Sequence, residues 1–331
     1  MKSIAVIGAG IAGLTLAGRL KGLARVTVFE KSGGFGGRMA TRRAGGFQFD
    51  HGAQYFTARS TEFRQFLLDH CSEKALSDWQ PRTITLDGQE KPYSRPWFEP
   101  HWIGVPGMTS LGKELSLGQQ VELQTKVGRI SPTTTGWTIE LESGLQHGPF
   151  DWIVSTAPAP QTSILFPAAF QHHRSLEQVR MSACFSLMLG YQADLELPFQ
   201  AAKVKNSPLG WLAIDSSKPG RSGGQSLLVQ STNDWADTQL QEPAEHVQNS
   251  MLEALHKLLP QLPEATHVDI HRWLYAATTS AAGQDYLMDE KQHLAACGDW
   301  CLGGRVEAAF TSADRLAAAL ADRLQDSSTS S

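Results

Sequence analysis

The stretch IAVIGAGIAGLTLAG, residues 4–18, constrains this chain more than any other. Ile4 to Ile7 form a short apolar run of the kind that fills a parallel strand buried on both faces. Gly8, Gly10 and Gly13 follow with the spacing G-x-G-x-x-G. The first glycine allows a tight turn, the second lets a pyrophosphate reach the backbone, and the third lets a helix lie close to the strand. Leu14, Leu16, Ala17 and Leu20 continue as a helical apolar pattern, whose opening N–H groups face the phosphates. An apolar run behind Lys2 also reads as an export signal, but the continuation argues otherwise. ARVTVFEK (24–31) is a second strand ending in Glu30, about 20 residues beyond the glycines, where an acid accepts hydrogen bonds from an adenosine ribose. Cleavage of a signal peptide would remove the strand and glycines that Glu30 serves. A carboxylate there also repels a 2′-phosphate, so the tightly held nucleotide is not NADP. The expectation is a β-α-β nucleotide-binding unit in a cytoplasmic protein.

The rest of the chain sets limits on what surrounds that unit. Its 331 residues are enough for two domains. A net charge of −4 suggests no polyanionic partner. RMATRR (38–43) is a local basic cluster without the broad face and stacking aromatics of a nucleic-acid binder. Cys71, Cys184, Cys297 and Cys301 form no C-x-x-C pair and read as four free buried thiols of a reducing compartment. His172-His173 and His267…His271 lack a third ligand at supporting spacing, so no metal is expected. No nucleophile elbow supports a hydrolase. No apolar run approaches the ~18 residues of a spanning helix, so no membrane is expected.

A second glycine-rich loop follows the ribose acid at once, in EKSGGFGGRMATRRAGGFQFDHGAQYF (30–56). Gly33, Gly34, Gly36 and Gly37 make it flexible, and the Arg38 guanidinium suits phosphate oxygens. A plain NAD domain has no need of this loop. Glu30, Gly36, Gly37, Arg38, Thr41, Gly46, Asp50, Gly52 and Ala53 together resemble the signature of FAD-dependent amine-oxidase-like flavoproteins. DHGAQYFTAR (50–59) resembles the renalase branch in particular. LAACGDWCLGGRVEAAFTSADRLAAAL (294–320) is similar to that family's carboxyl-terminal flavin motif. It reads as a strand, then Gly298-Asp299, then Gly303-Gly304, then a helix with Val306, Ala309, Phe310, Ala313, Leu316, Ala317 and Leu320 on one face.

The resemblance implies an α/β fold: a Rossmann-type FAD-binding domain with a second, mixed-sheet substrate domain. The FAD-binding domain is expected from residues 1–60, 105–165 and 290–325, the substrate domain from 61–104 and 166–289, and a disordered tail from 326–331. FAD is expected to be held non-covalently, because Cys297 and Cys301 do not sit in the surroundings of a covalent attachment. Its expected contacts are Gly8, Gly10, Ile11, Ala12 and Gly13 at the first turn. Glu30, Lys31, Gly37, Arg38 and Met39 follow in the second loop, and Ala53, Gln54, Tyr55 and Phe56 after the signature. Val127 is carried over for the adenine by strand-and-turn pattern only. Asp299, placed for a ribitol hydroxyl, Arg305 and Val306 complete the set. Gln54 and Tyr55 either run past the isoalloxazine or pack between domains. In HRWLYA (271–276), Arg272, Trp273 and Tyr275 are either substrate-facing or ordinary sheet residues. TEFRQFLLDHC (61–71) and 243–262 are amphipathic helices, the second ended by Pro260. VELQTKVGRISPTTTGWTIELESG (121–144) is a hairpin or meander, and PWFEPHWIGVPGM (96–108) a loop or edge strand.

Resemblance to the renalase branch implies an FAD-dependent oxidase of dihydronicotinamide dinucleotides reduced at ring positions 2 or 6. Hydride passes to flavin N5, and O2 reoxidises the flavin to give H2O2 and β-NAD(P)+. No acid or base is forced by the residues, so the catalytic residue is unassigned. An amine oxidase or desaturase on the same fold, and a non-catalytic flavin-binding protein, remain the alternatives.

Overall fold

The computed structural model describes residues 1–94, 96 and 98–329, with side chains up to Gln325. Trp97 of the aromatic loop, and Ser330 and Ser331 of the polar tail, lie outside the described residues. A six-stranded sheet runs in the order Leu287–Asp289, Leu294–Ala296, Trp152–Ser155, Ser3–Ile7, Arg25–Phe29, Gln120–Glu122. All its pairings are parallel except that of Leu287–Asp289 with Leu294–Ala296. Ser3–Ile7 sits inside it, between strands 25–29 and 152–155. Period-2 alternation sends Ile4 and Val6 to the core under the helices and Ala5 to the core under a three-stranded antiparallel sheet. Being buried on both faces is what the opening apolar run required.

Helices Ile11–Arg19 and Val306–Thr329 pack side by side on one face of this sheet. The predicted stripe of the last helix is buried from Ala309 to Leu320. That helix runs through Thr329, into the segment expected to be a disordered tail.

A seven-stranded mixed sheet forms the second layer system, in the order His267–Ser280, Arg180–Tyr191, Gln225–Ser231, Leu209–Ile214, Ala201–Lys205, Thr83–Asp87, Tyr93–Ser94. Helices Asn233–Thr238 and Ala244–Leu258 cover one face. Val247, Met251 and Leu255 of the longer helix are buried at fourfold spacing, and it stops two residues before Pro260.

Three expectations shift. Helix Thr61–His70, placed with the second domain, stacks Phe63 on Phe310 at 4.9 Å and Phe66 at 4.7 Å from the same ring. Apolar burial, not chain position, assigns it to the nucleotide side. Phe166, Phe170, Leu176 and Val179 likewise join the core beneath the three-stranded sheet, against Phe29 and Ile153. In the 121–144 stretch, Gln120–Glu122 pairs in parallel with Arg25–Phe29, and only Val127–Thr133 and Gly136–Leu141 form the hairpin. In the aromatic loop, Trp102–Gly104 pairs with Leu76–Asp78 as a small edge ladder.

Candidate active site

The two sheets enclose one large cavity of about 1920 Å³. A drug-sized ligand needs roughly 300–1,000 Å³. The space therefore suits a dinucleotide and a second molecule together. At one end lie Gly8, Gly10, Ile11 and Ala12. Gly13 lies outside the lining, and its reason is steric: a Cβ there would stand 2.0 Å from the Gly8 carbonyl oxygen. A Cβ on Gly10 would meet nothing within 4 Å. That open ground in front of a helix N-terminus is where a diphosphate fits. Gly36, with φ +98°, donates its N–H to the Ala9 carbonyl at 2.9 Å, so the second glycine loop closes over the first.

Glu30 is buried at the end of its strand. Oε2 accepts from the Ala9 N–H at 2.8 Å, and Oε1 accepts from the Ser32 N–H and hydroxyl at 2.8 and 2.7 Å. These bonds fix the carboxylate at the cavity wall and leave lone pairs for a ribose. Lys31, Gly37, Met39 and Val127 border the same space.

Arg38 and Asp299, expected at phosphate oxygens and a ribitol hydroxyl, both border the cavity. The structure joins them: Arg38 Nη1 donates to Asp299 Oδ2 at 2.9 Å, and Nη2 donates to Oδ1. Asp299 keeps a lone pair on each oxygen for a hydroxyl. Arg305 and Val306 follow at the start of the 24-residue last helix, on the same wall. Glycines 8, 10 and 37, the helix N-termini at Ile11 and Val306, and buried Glu30 together make a cradle that fits a dinucleotide cofactor.

The opposite wall is the seven-stranded sheet. Lys203, Trp211, Gln230, Ser186 and His271 are successive cross-strand partners, so they share one sheet face. Arg272, one residue on, turns the other way. It borders the cavity, but Nη1 donates to the Leu240 carbonyl at 3.0 Å, on the helix-covered side. Its guanidinium is thereby committed to the back of the sheet. Trp273 borders the cavity as a buttress, with Nε1 donating to the His51 carbonyl at 2.7 Å. Beyond it the pairing slips. Ser182 faces Ala277 and Cys184 faces Trp273, so Leu274, Tyr275 and Ala276 bulge opposite Ala183. The bulge presents Tyr275 to the cavity and the Ala276 carbonyl to Arg38 Nη1 at 3.4 Å.

Ala53, Gln54, Tyr55 and Phe56 line the cavity between these walls. Tyr55 meets His101 edge-on at 4.3 Å and Trp211 at 5.8 Å. The Gln54 side chain turns inward: Nε2 donates to the Asp50 carbonyl, and Oε1 accepts from Lys218 Nζ at 3.2 Å. Behind it Asp50, Asp215, Lys218 and Arg221 form a cluster in which each charged side chain is at most 1% exposed. Burial pushes the Asp215 carboxyl up to about 6. Burial pushes Asp50 the same way, but Lys218, Arg221 and the Met108 N–H outweigh it and hold that carboxyl at about 2. His51 sits beside the cluster, lowered to about 4 by burial and then by His271 and Arg42. Nothing in the sequence marked Asp215, Lys218 and Arg221; DSSKPGR is an ordinary polar turn by composition. Trp211, Gln230 and His101 were missed for a different reason: only sheet register and loop closure bring them to the cavity.

Comparison with known proteins finds two family matches. Residues 6–69 match the NAD(P)-binding Rossmann-like domain, and residues 98–321 match the flavin containing amine oxidoreductase family. Renalase of Mus musculus is 25% identical over 301 residues, covering 85% of this chain and 86% of that protein. A shorter match, 31% identical over 162 residues, is to coproporphyrinogen III oxidase of Mycobacterium tuberculosis; it covers 48% of this chain and 31% of that protein. Among solved structures, a proposed protoporphyrinogen oxidase from Exiguobacterium sp. 255-15 superposes with a TM-score of 0.78 at 15% identity, over 97% of this chain and 99% of the other. Putrescine oxidase bound to putrescine gives a TM-score of 0.72 at 11% identity, over 96% and 98%.

Proposed function

This chain belongs to the flavin containing amine oxidoreductase family, as a renalase-like member, and from that premise we propose that it is an FAD-dependent oxidase of dihydronicotinamide dinucleotides reduced at ring positions 2 or 6. Bound flavin supplies the two-electron chemistry, taking a hydride at N5 and passing the pair to O2, which with one solvent proton leaves as H2O2. What the protein adds is placement and exclusion of water. The observation that carries the reading is the second half of the cavity. Trp211, Tyr55 and His101 offer flat surfaces to a heteroaromatic ring, and Lys203 stands next to Trp211 on the same sheet face. A dinucleotide presents a ring and phosphates together, so it uses both. The same lysine repels the cationic amine that an amine oxidase must admit, although the aromatic group alone would suit one.

No helix among the described residues is long and apolar enough to cross a membrane. All four cysteines are free and buried, which supports placing the enzyme in the cytoplasm.

The test is anaerobic mixing with the 2-, 4- and 6-dihydro forms of NADH and NADPH while flavin absorbance is followed. Rapid bleaching by the 2- or 6-forms is expected. Bleaching by the ordinary 4-form alone, or by a simple amine alone, overturns the assignment.

A further inference from the structure

We propose that Lys218 is a positioning residue of the flavin site, acting through Gln54: its buried ammonium sets the Gln54 amide and, with it, the Gly52–Tyr55 turn against which a flavin ring docks.

Three oxygens surround Nζ: Asp215 Oδ1 at 2.5 Å, Asp50 Oδ2 at 3.1 Å and Gln54 Oε1 at 3.2 Å. Nζ donates hydrogen bonds to Asp50 and Gln54, and its contact with Asp215 is an ion pair. Trp79 closes the remaining side, its ring centroid 5.1 Å from Nζ. Gln54 is thereby held at both ends, because its Nε2 is given to the Asp50 carbonyl. Its orientation is not a choice between two flips: a reversed amide would point NH2 at an ammonium and oxygen at a carbonyl. The backbone around it is pinned from the other sheet as well. Gln230 Nε2 donates to the Gly52 carbonyl at 2.8 Å, and Ser186 Oγ and Trp273 Nε1 both donate to the His51 carbonyl at 2.7 Å. Asp50 extends the network by accepting from Thr41 Oγ1 at 2.7 Å and the Met108 N–H at 3.0 Å. Turn 215–221 of the substrate sheet, the signature loop and the 104–109 loop thus meet at one carboxylate.

Four buried charges are a poor way to gain stability, because well-packed apolar residues of the same volume do as well or better. What such a cluster supplies is one defined geometry. Gln54 lines the cavity between Ala53 and Tyr55, and both of its N–H donors are spent on the carbonyls of Asp50 and Gly52. Its contribution is the setting of the wall. This inference rests on the flavin and not on the identity of the substrate. A protein that binds FAD yet ignores every dihydronicotinamide sinks the proposed activity and leaves Lys218 untouched.

Removing Lys218 alone strands Asp215, while Asp50 keeps Arg221, so the test uses the charge-balanced pair Lys218→Met/Asp215→Asn, beside Gln54→Met and the triple variant. The readouts are FAD dissociation constant for the apoprotein, visible circular dichroism of bound FAD, and thermal melting of the apoprotein. The pair and Gln54→Met are each expected to weaken FAD about tenfold, the scale of one charge-assisted hydrogen bond, and to change the visible dichroism alike. The triple variant should lose no more than either. Additive losses in the triple variant overturn the proposal. So does a folded pair variant with wild-type FAD affinity and dichroism. If the pair does not fold, Gln54→Met decides alone: unchanged affinity and dichroism overturn the inference, and the tenfold loss upholds it.

Discussion

Arg38 and Asp299, 261 residues apart in the chain, form a two-pronged ion pair across the cavity wall, with Nη1 donating to Oδ2 at 2.9 Å and Nη2 to Oδ1. The arginine follows the second glycine loop and the aspartate opens the short helix before the last one. This pair ties the two ends of the polypeptide to one ligand site. Asp299→Ala leaves a partly buried guanidinium facing the cavity and removes a ribitol acceptor. Its FAD affinity should fall at least about tenfold, measured by titrating apoprotein. Arg38→Gln/Asp299→Asn should lose less than the two single variants combined, since the paired charges go together.

Two glycines of the same motif should fail in opposite ways. Gly13→Ala puts a Cβ 2.0 Å from the Gly8 carbonyl, which forces helix and strand apart. Apoprotein stability should drop by about 2 kcal/mol or more, visible in a denaturant titration. Gly10→Ala meets no protein atom within 4 Å. Its apoprotein should melt as wild type, while FAD binding falls because the methyl group takes phosphate space. Equal melting losses in both variants would contradict this reading.

Acid stability should carry two opposing contributions. His51 falls from an ordinary 6.5 to about 4 on folding. Between those values the unfolded chain binds the extra proton, so stability rises with pH across the window. The histidine costs up to about 3 kcal/mol below it. Asp215 rises from 3.8 to about 6. There the folded chain binds the extra proton, so stability falls as pH rises from about 4 to about 6. His51→Gln should therefore flatten the rise, and Asp215→Asn should steepen it. Urea midpoints taken from pH 4 to 7 on each variant check both signs.

The cysteines should be inert until the protein unfolds. Burial pushes the Cys71 and Cys301 thiols up to about 12 and Cys184 up to about 11, and raises Cys297 as well. An aromatic disulfide reagent at pH 8 should release almost no thiolate from native protein and react with all four Cys residues in denaturant. Fast reaction of one thiol in the folded state would contradict the burial described.

The sequence by itself determined the glycine-loop end of the cavity. Gly8, Gly10, Gly13 and Glu30 lie within one β-α-β unit, so turn geometry and strand length alone place them. The apolar stripe of the last helix was equally legible, because periodicity is a local property. Tertiary structure decided the opposite wall. Arg272 and His271 are neighbours in sequence, yet one faces the helices and the other the cavity; which is which depends on register with Arg180–Tyr191. Arg38 gained a carboxylate partner because chain closure delivered Asp299. Lys218 became a buried anchor only because three loops distant in sequence converge on Asp50. Local patterns encode what consecutive residues can build, and contacts across hundreds of residues depend on how the sheets are paired.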